Sequence, residues 1–138
     1  MAEKKAVKKT PEQPKLKDNN TQLAGLAHFS FLAILILGPF SMAIPLIIWL
    51  LERNKEDKST YVEFQAKQAF FFQLAVYLAT AVLGIVVGVL SIILIGLLFI
   101  PFLILVPIAG VVYGVYAGIQ VWNGKDFRYM YVADFIDA

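Results

Sequence analysis

The chain has 138 residues, 59% of them hydrophobic, and a formal net charge of +2. This composition excludes an ordinary soluble domain, because the uncharged stretches 23–51 and 68–124 far exceed the roughly 18 apolar residues that mark a membrane-spanning helix. The absence of cysteine excludes disulfides, thiolate chemistry and cysteine-based metal sites.

The N-terminal segment, residues 1–19, is polar, rich in lysine and interrupted by proline. This pattern predicts a disordered basic tail. Its lysines either hold to anionic lipid or only orient the chain in the membrane. Nucleic acid is not an expected partner, because the positive charge is dilute and lacks aromatic platforms.

The first apolar stretch carries "GPFSMAIP" in its middle. Gly38 is a natural helix stop and Pro39 removes a backbone hydrogen bond, whereas Ser41 is a good residue to begin a new helix. The pattern predicts two short helices, Asn20–Leu37 and Ser41–Asn54, joined by a tight turn. A single kinked span is the alternative.

The segment "QAKQAFFFQ", residues 65–73, mixes a lysine and three glutamines with three phenylalanines. On a helix, Gln68 and Phe72 fall on one side and Lys67 nearer the other, which predicts an amphipathic lead-in lying along the interface. Either its lysine snorkels and the glutamines mark the headgroup level, or the segment is a partner-docking or lipid-sensing surface.

The second apolar stretch would be about 85 Å long as one helix, against a hydrocarbon core of about 30 Å. It must therefore fold back, and Gly88–Pro101 is the predicted reversal. The final segment, residues 125–138, has Phe127, Met130, Tyr131 and Phe135 at helical spacing, which predicts an interfacial C-terminal segment.

Charge distribution favours the two hairpins over a single first span. The Lys and Arg residues divide as six in the tail, four in 52–67 and two after Trp122. Two hairpins place all of them on the cytoplasmic side, with Ser41 and the region around Ser91 near the other. The prediction is an all-α, multi-pass bundle of the cell membrane with both termini cytoplasmic and its transmembrane domain at 20–124.

His28 is the only histidine and lies inside an apolar stretch. An ionisable residue there is a candidate for function. No carboxylate or second metal ligand accompanies it within that stretch, so a neutral imidazole bonded to a neighbouring hydroxyl or amide is the favoured interpretation. Contact with a quinone or pigment is the alternative.

Small residues mark two helix faces. Gly110, Gly114 and Gly118 recur every four residues in the last apolar helix, and Gly84 and Gly88 occur in the one before it. Close packing of these two faces within one molecule is the favoured interpretation, with a homodimer seam or a lipid-tail groove as alternatives. Polar and aromatic neighbours are candidates for contact with a ligand or partner: Gln73, Tyr77, Tyr113 and Tyr116.

Four motifs, "LAGLAHFSFL", "GPFSMAIPLIIWLL", "VEFQAKQAFFFQ" and "VWNGKDFRYMYVADFI", together carry a family resemblance. In order and spacing the chain resembles a bacterial and archaeal family of small membrane proteins that is similar to the Tic-twenty component of the chloroplast import translocon. The resemblance covers most of Leu23–Ile136. It implies a four-helix membrane domain and an accessory role in protein insertion or translocation.

The residues do not supply the groups that an enzyme requires, so no catalytic residue, cofactor or metal site is predicted. Buried carboxylates, which are typical of transporters, are missing from both apolar stretches. The sequence favours an interaction or accessory subunit of a larger membrane complex, with lipids and other integral membrane proteins as partners. That complex is either a protein-insertion or translocation machinery, as the resemblance implies, or an energy-transducing complex. A lipid- or quinone-binding module is the alternative.

Overall fold

The computed structural model describes residues 18–138, with side chains from Asn20 onward. Within this part of the chain all regular secondary structure is helical. The helices are α1 (Asp18–Phe29), α2 (Ile34–Leu37), α3 (Ala43–Arg53), α4 (Thr60–Ser91), α5 (Ile100–Trp122) and α6 (Val132–Asp137), with 3₁₀ turns at Ser30–Ala33, Gly38–Met42 and Ile95–Phe99. The predicted disordered tail lies outside the described residues, apart from the backbone of Asp18 and Asn19 at the start of α1.

The first apolar stretch reverses at Gly38, where φ is +56°, a value that glycine adopts without steric cost. Beyond the reversal α3 runs back beside α1, and Ile48 packs against the core clusters that contain Ala24 and Ala27. Asn20–Arg53 is long and apolar enough for one membrane span. Because α1 and α3 contact each other, it is instead a hairpin, and the two predicted short helices are confirmed.

The tip of this hairpin lies beside the middle of α4. The Ser41 and Tyr77 hydroxyl oxygens are 2.5 Å apart, and Tyr77 also donates to the main-chain oxygen of Gly38 at 3.5 Å. Helix α4 continues from Tyr77 to Ser91, about 21 Å further. Ser41 therefore does not lie level with the region around Ser91, as the two-hairpin prediction expected, because the chain turns back at Gly38 beside the middle of α4.

The second hairpin joins α4 to α5, as the sequence predicts. Its turn contains Leu94 at φ +64°, followed by Gly96, where a Cβ atom would lie 2.3 Å from the main-chain nitrogen of Ser91. A glycine is therefore required for the chain to pass this closely over the end of α4. The reversal falls inside the predicted range Gly88–Pro101.

The start of α1, the start of α4 and the segment after α5 meet at one end of the bundle, called here the charged end. Thr21 at the start of α1 lies near Gly124 after α5, where an added Cβ would be 3.9 Å from its methyl group. Tyr61 at the start of α4 donates to the main-chain oxygen of Lys125 at 2.8 Å. The described part of the chain is thus an all-α membrane bundle with its charges gathered at one end.

The expected interfacial lead-in at residues 65–73 is wrong. These residues form early turns of the continuous helix α4. Gln65, Gln68 and Gln73 are no more than 1% exposed. They point into the bundle because their hydrogen-bonding partners lie there, whereas Lys67 lies over the ring of Trp49 at 5.7 Å.

The C-terminal segment is helical only from Val132 to Asp137, so the helical spacing predicted for its first half is wrong. Residues 125–131, called here the strap, carry no helix. Tyr129 is buried and Phe127 half-buried, while Arg128 and Met130 are exposed. This alternation arises because the strap packs one side against the bundle and turns the other outward.

Candidate functional site: a buried polar cluster at the charged end

His28 is 1% exposed and both of its ring nitrogens have partners inside the protein. Its Nε2 lies 3.1 Å from the amide oxygen of Gln65, and its Nδ1 lies 3.1 Å from the hydroxyl of Tyr129. An amide oxygen only accepts, so Nε2 carries the proton and the Tyr129 hydroxyl donates to Nδ1. These are the hydroxyl and amide partners that the sequence led us to expect.

The amide of Gln65 is oriented by two further contacts. Its nitrogen donates to a carboxylate oxygen of Asp126 at 3.1 Å and to the main-chain oxygen of Phe127 at 3.0 Å. With the nitrogen committed to the strap, the oxygen must face His28. Gln65 therefore connects α1, α4 and the strap.

Gln68 lies one turn further along α4, and its side chain binds the main chain of the strap. Its amide nitrogen donates to the oxygen of Phe127 at 3.0 Å, and its amide oxygen accepts from the backbone nitrogen of Tyr129 at 2.9 Å. Four side chains thus form one buried network, called here the polar cluster: His28, Gln65, Gln68 and Tyr129.

Aromatic rings enclose the polar cluster. The ring of Tyr129 is stacked on Phe72, with centroids 3.9 Å apart and planes inclined by 4°. Phe127 and Tyr113 meet it edge-on, at 5.0 and 5.3 Å. Burial in this surrounding raises the pKa of the Tyr129 hydroxyl well above its usual range. Tyr116 is half exposed, and its ring lies against those of Phe127 and Tyr113.

A second set of polar pairs lies deeper in the bundle. The amide nitrogen of Gln73 donates to the hydroxyl of Ser30 at 3.0 Å, and Tyr77 pairs with Ser41 at the hairpin tip. Among the described residues, the amide oxygen of Gln73 and the hydroxyl of Thr80 are buried without a hydrogen-bond partner. These pairs tie the first hairpin to α4.

The glycine face of α5 packs against α1 and its 3₁₀ extension. An added Cβ at Gly114 would be 3.0 Å from the Phe31 ring, and one at Gly118 would be 2.8 Å from Phe29. At Gly110 the nearest atoms belong to Val76 and Phe31, at 2.8 and 3.3 Å.

The expected meeting with the glycines of α4 does not occur. Gly84 has one neighbour at 3.6 Å, from Leu103, and Gly88 has open space. The first hairpin extends along α4 only to Tyr77. Its rings Phe29 and Phe31 therefore cover the glycine face of α5 on the side of the charged end, whereas Gly84 and Gly88 lie beyond the hairpin tip.

Among the residues that the structure describes, the ion pairs lie at the charged end. Glu52 is 4% exposed and accepts from Lys55 at 2.6 Å and from the backbone nitrogen of Ser59 at 2.7 Å. Arg128 pairs with Asp137 beside the strap. Within residues 18–138, no three His, Cys, Asp or Glu side chains form a group that could hold a metal ion.

Comparison with known proteins identifies the family. A family model, MamF/MmsF, described as the magnetosome magnetite crystal formation protein family, matches residues 19–136. The chain belongs to this family. No curated protein and no solved structure matches the chain.

Membership in the MamF/MmsF family corrects the resemblance stated above. The four quoted motifs all fall within the matched range, so the likeness to a Tic-twenty-type family, and the translocation role that it implied, are wrong. Short apolar motifs are a weak guide, because the same glycine, proline and aromatic signals serve any chain that builds helical hairpins in lipid.

The MamF/MmsF match contains the whole polar cluster, from His28 in α1 to Tyr129 in the strap. Of the candidate contact residues, the structure brings His28 and Tyr113 together around Tyr129, and places Gln73 and Tyr77 against the first hairpin.

Sequence reasoning missed Gln65 and Tyr129 as the partners of His28, and Gln68 as the residue that joins them to the strap. A signal was present, since Gln65 and Gln68 lie one helical turn apart in a segment that otherwise enters the membrane. Amides at that spacing facing lipid would be costly, which points to a buried polar partner on another helix.

Proposed function

We propose that this chain is a non-catalytic integral protein of the magnetosome membrane that takes part in magnetite crystal formation by packing against other membrane proteins. The observation that carries the proposal is the family match over residues 19–136, which begins in α1 and ends in α6. The matched region is therefore the entire helical bundle together with its strap.

The geometry supports a role at the surface rather than in the interior. Every hydrogen-bonding group of the His28 imidazole is used by Gln65 and Tyr129. The polar cluster thus holds the strap against the bundle, since a buried network with its groups paired stabilises one arrangement of the chain. A quinone at His28 would have to displace these partners.

The orientation we propose places the charged end in the cytoplasm. Basic residues favour that side of a membrane, and those of the described chain lie at this end. The opposite end, built from Ile92–Phe99, carries no charged residue and would face the compartment in which the crystal forms. On this view the protein influences crystal formation through its neighbours in the membrane.

A gene deletion in the magnetite-forming host tests the proposal. We expect the crystals of the deletion strain to differ in length distribution by electron microscopy, and a plasmid copy of the full chain to restore them. The tagged chain should remain with purified magnetosomes and migrate, in mild detergent, well above its own 15.4 kDa. Unchanged crystals together with a tagged chain found only in the cell membrane would refute the proposal.

A matched pair of variants tests in the same experiment whether the intact bundle with its strap is needed. Gln68→Leu removes the two hydrogen bonds that hold the main chain of the strap, and it should fail to restore the crystals. Val82→Leu changes a lipid-facing side chain, 61% exposed, and should restore them fully.

A further inference from the structure

The position of the membrane can be read from the charged end. Trp49 lies beside Lys67, whose Nζ is 5.7 Å from the ring centroid, and tryptophan with lysine at this height is typical of a membrane interface. From Lys67, α4 rises about 15 Å to Tyr77 and about 36 Å to Ser91, against a hydrocarbon core of about 30 Å. Helix α4 therefore crosses the bilayer, whereas the hairpin tip beside Tyr77 stops near its middle.

The hairpin tip lies in lipid and not in water. Leu35, Ile36 and Phe40 are 85%, 88% and 79% exposed, and no charged residue occurs between Leu23 and Leu51. A tip of this composition would be strongly unfavourable outside the hydrocarbon. The first hairpin is thus a re-entrant element confined to one leaflet.

The two leaflets consequently meet very different cross-sections of the protein. In the leaflet at the charged end the bilayer surrounds α1, α3, α4 and α5, which pack against one another. In the other leaflet the described residues supply only α4 and α5 and their connecting turn, with side chains such as Ile85 and Val89 more than 60% exposed. With helices about 10 Å across, the area occupied differs about twofold.

We propose that the protein is a membrane wedge that prefers curved bilayers, with its charged end in the convex leaflet. A body wider in one leaflet than in the other fits best where that leaflet is expanded, as on the outside of a small vesicle. This inference goes beyond the proposed function and does not depend on it. Together with a cytoplasmic charged end, it matches a protein embedded in a small intracellular vesicle.

The test uses the purified full-length protein carrying Asn54→Cys, which places the only thiol in the exposed loop before α4. After reconstitution into vesicles of mixed diameter, a membrane-impermeant dye marks only the molecules whose charged end faces outward. We expect their density per membrane area to be roughly threefold higher on vesicles of about 50 nm than on vesicles of about 400 nm. Molecules labelled only after permeabilisation face inward and should show the reverse preference.

Two lipid-facing variants should change this preference in opposite directions. Replacing Leu32, Leu35 and Ile47 by alanine trims the wide part, and replacing Ile85, Val89 and Phe102 by alanine trims the narrow part. The first set should bring the density ratio close to one, and the second should raise it above the wild-type ratio. All six side chains are at least 44% exposed, so neither set removes core packing.

Equal densities on small and large vesicles for both orientations of the wild-type protein would overturn the wedge. So would a shift in the same direction by both alanine sets. A second copy packed on the exposed halves of α4 and α5 would fill the narrow part, and subunit counting by bleaching steps detects it. Dimers that lack a curvature preference would replace the wedge with a self-association surface.

Discussion

His28 donates from Nε2 to the amide oxygen of Gln65 at 3.1 Å, although 37 positions separate the two residues along the chain. Both side chains are essentially inaccessible to solvent. The pair joins the first hairpin to α4, and the other side of the same amide holds the strap. Several consequences for stability can be measured in detergent.

Gln65→Leu should lower the free energy of unfolding by about 2–3 kcal/mol, because it leaves the buried His28 nitrogen without an acceptor and frees the strap. Thermal unfolding followed by circular dichroism measures the change. Gln22→Leu is the matched control, since Gln22 is exposed on α1. Equal melting temperatures for the two variants would show that the polar cluster contributes little.

Gln73→Leu should be close to neutral, within about 1 kcal/mol, in contrast to Gln65→Leu. It loses the hydrogen bond to Ser30, but it also removes a buried amide oxygen that has no partner among the described residues. The same melting experiment compares the two. A loss as large as that of Gln65→Leu would mean that this oxygen is satisfied in the membrane.

Gly114→Leu should destabilise the bundle by about 1–3 kcal/mol, because the new side chain would overlap the ring of Phe31, only 3.0 Å from the Cβ position. Gly88→Leu, with open space around it, should be neutral or slightly stabilising because leucine favours helix over glycine. The melting temperature measures the loss of packing, and light scattering measures any change in oligomeric state. If Gly114→Leu instead converts a dimer into a stable monomer, the glycine face lies between molecules.

Alkaline pH should weaken the wild-type fold more than the Tyr129→Phe variant. Burial holds the pKa of Tyr129 above its ordinary value of 10.0, so the folded state keeps the phenol proton while the unfolded state loses it. The stability contributed by the neutral phenol is therefore complete below pH 10 and is lost as the pH rises further. Melting temperatures of both proteins from neutral to strongly alkaline pH measure the difference, and parallel curves would contradict the assignment.

Cysteine labelling of sealed, isolated magnetosomes tests the orientation. The chain contains no cysteine, so single thiols at Asn54, Asn123 and Leu94 report on both ends of the bundle. We expect an impermeant reagent to label positions 54 and 123 directly and position 94 only after detergent is added. Ser41→Cys should stay unlabelled throughout, because Ser41 is fully buried. Labelling of 54 and 123 on opposite sides would contradict the two-hairpin arrangement.

Much of the architecture follows from local chemistry in the sequence. Gly38 and Pro39 interrupt an apolar run that a helix would otherwise cross, and the backbone of a reversal in lipid can be satisfied only by a tight turn. The uncharged stretch 68–124 is far longer as one helix than the hydrocarbon core is thick, so it must form a second hairpin. These are single-residue and length constraints, so they can be read without knowing which helix lies beside which.

The tertiary structure alone decided the partners. His28 meets Tyr129, 101 positions away, and the Gly114 face receives Phe31 where the sequence suggested the glycines of α4. The depth of the first hairpin determined both results, because it set which side chains stand level with one another. A buried polar group must find a partner somewhere, but its partner is fixed by the height and rotation of neighbouring helices, and no local pattern records either.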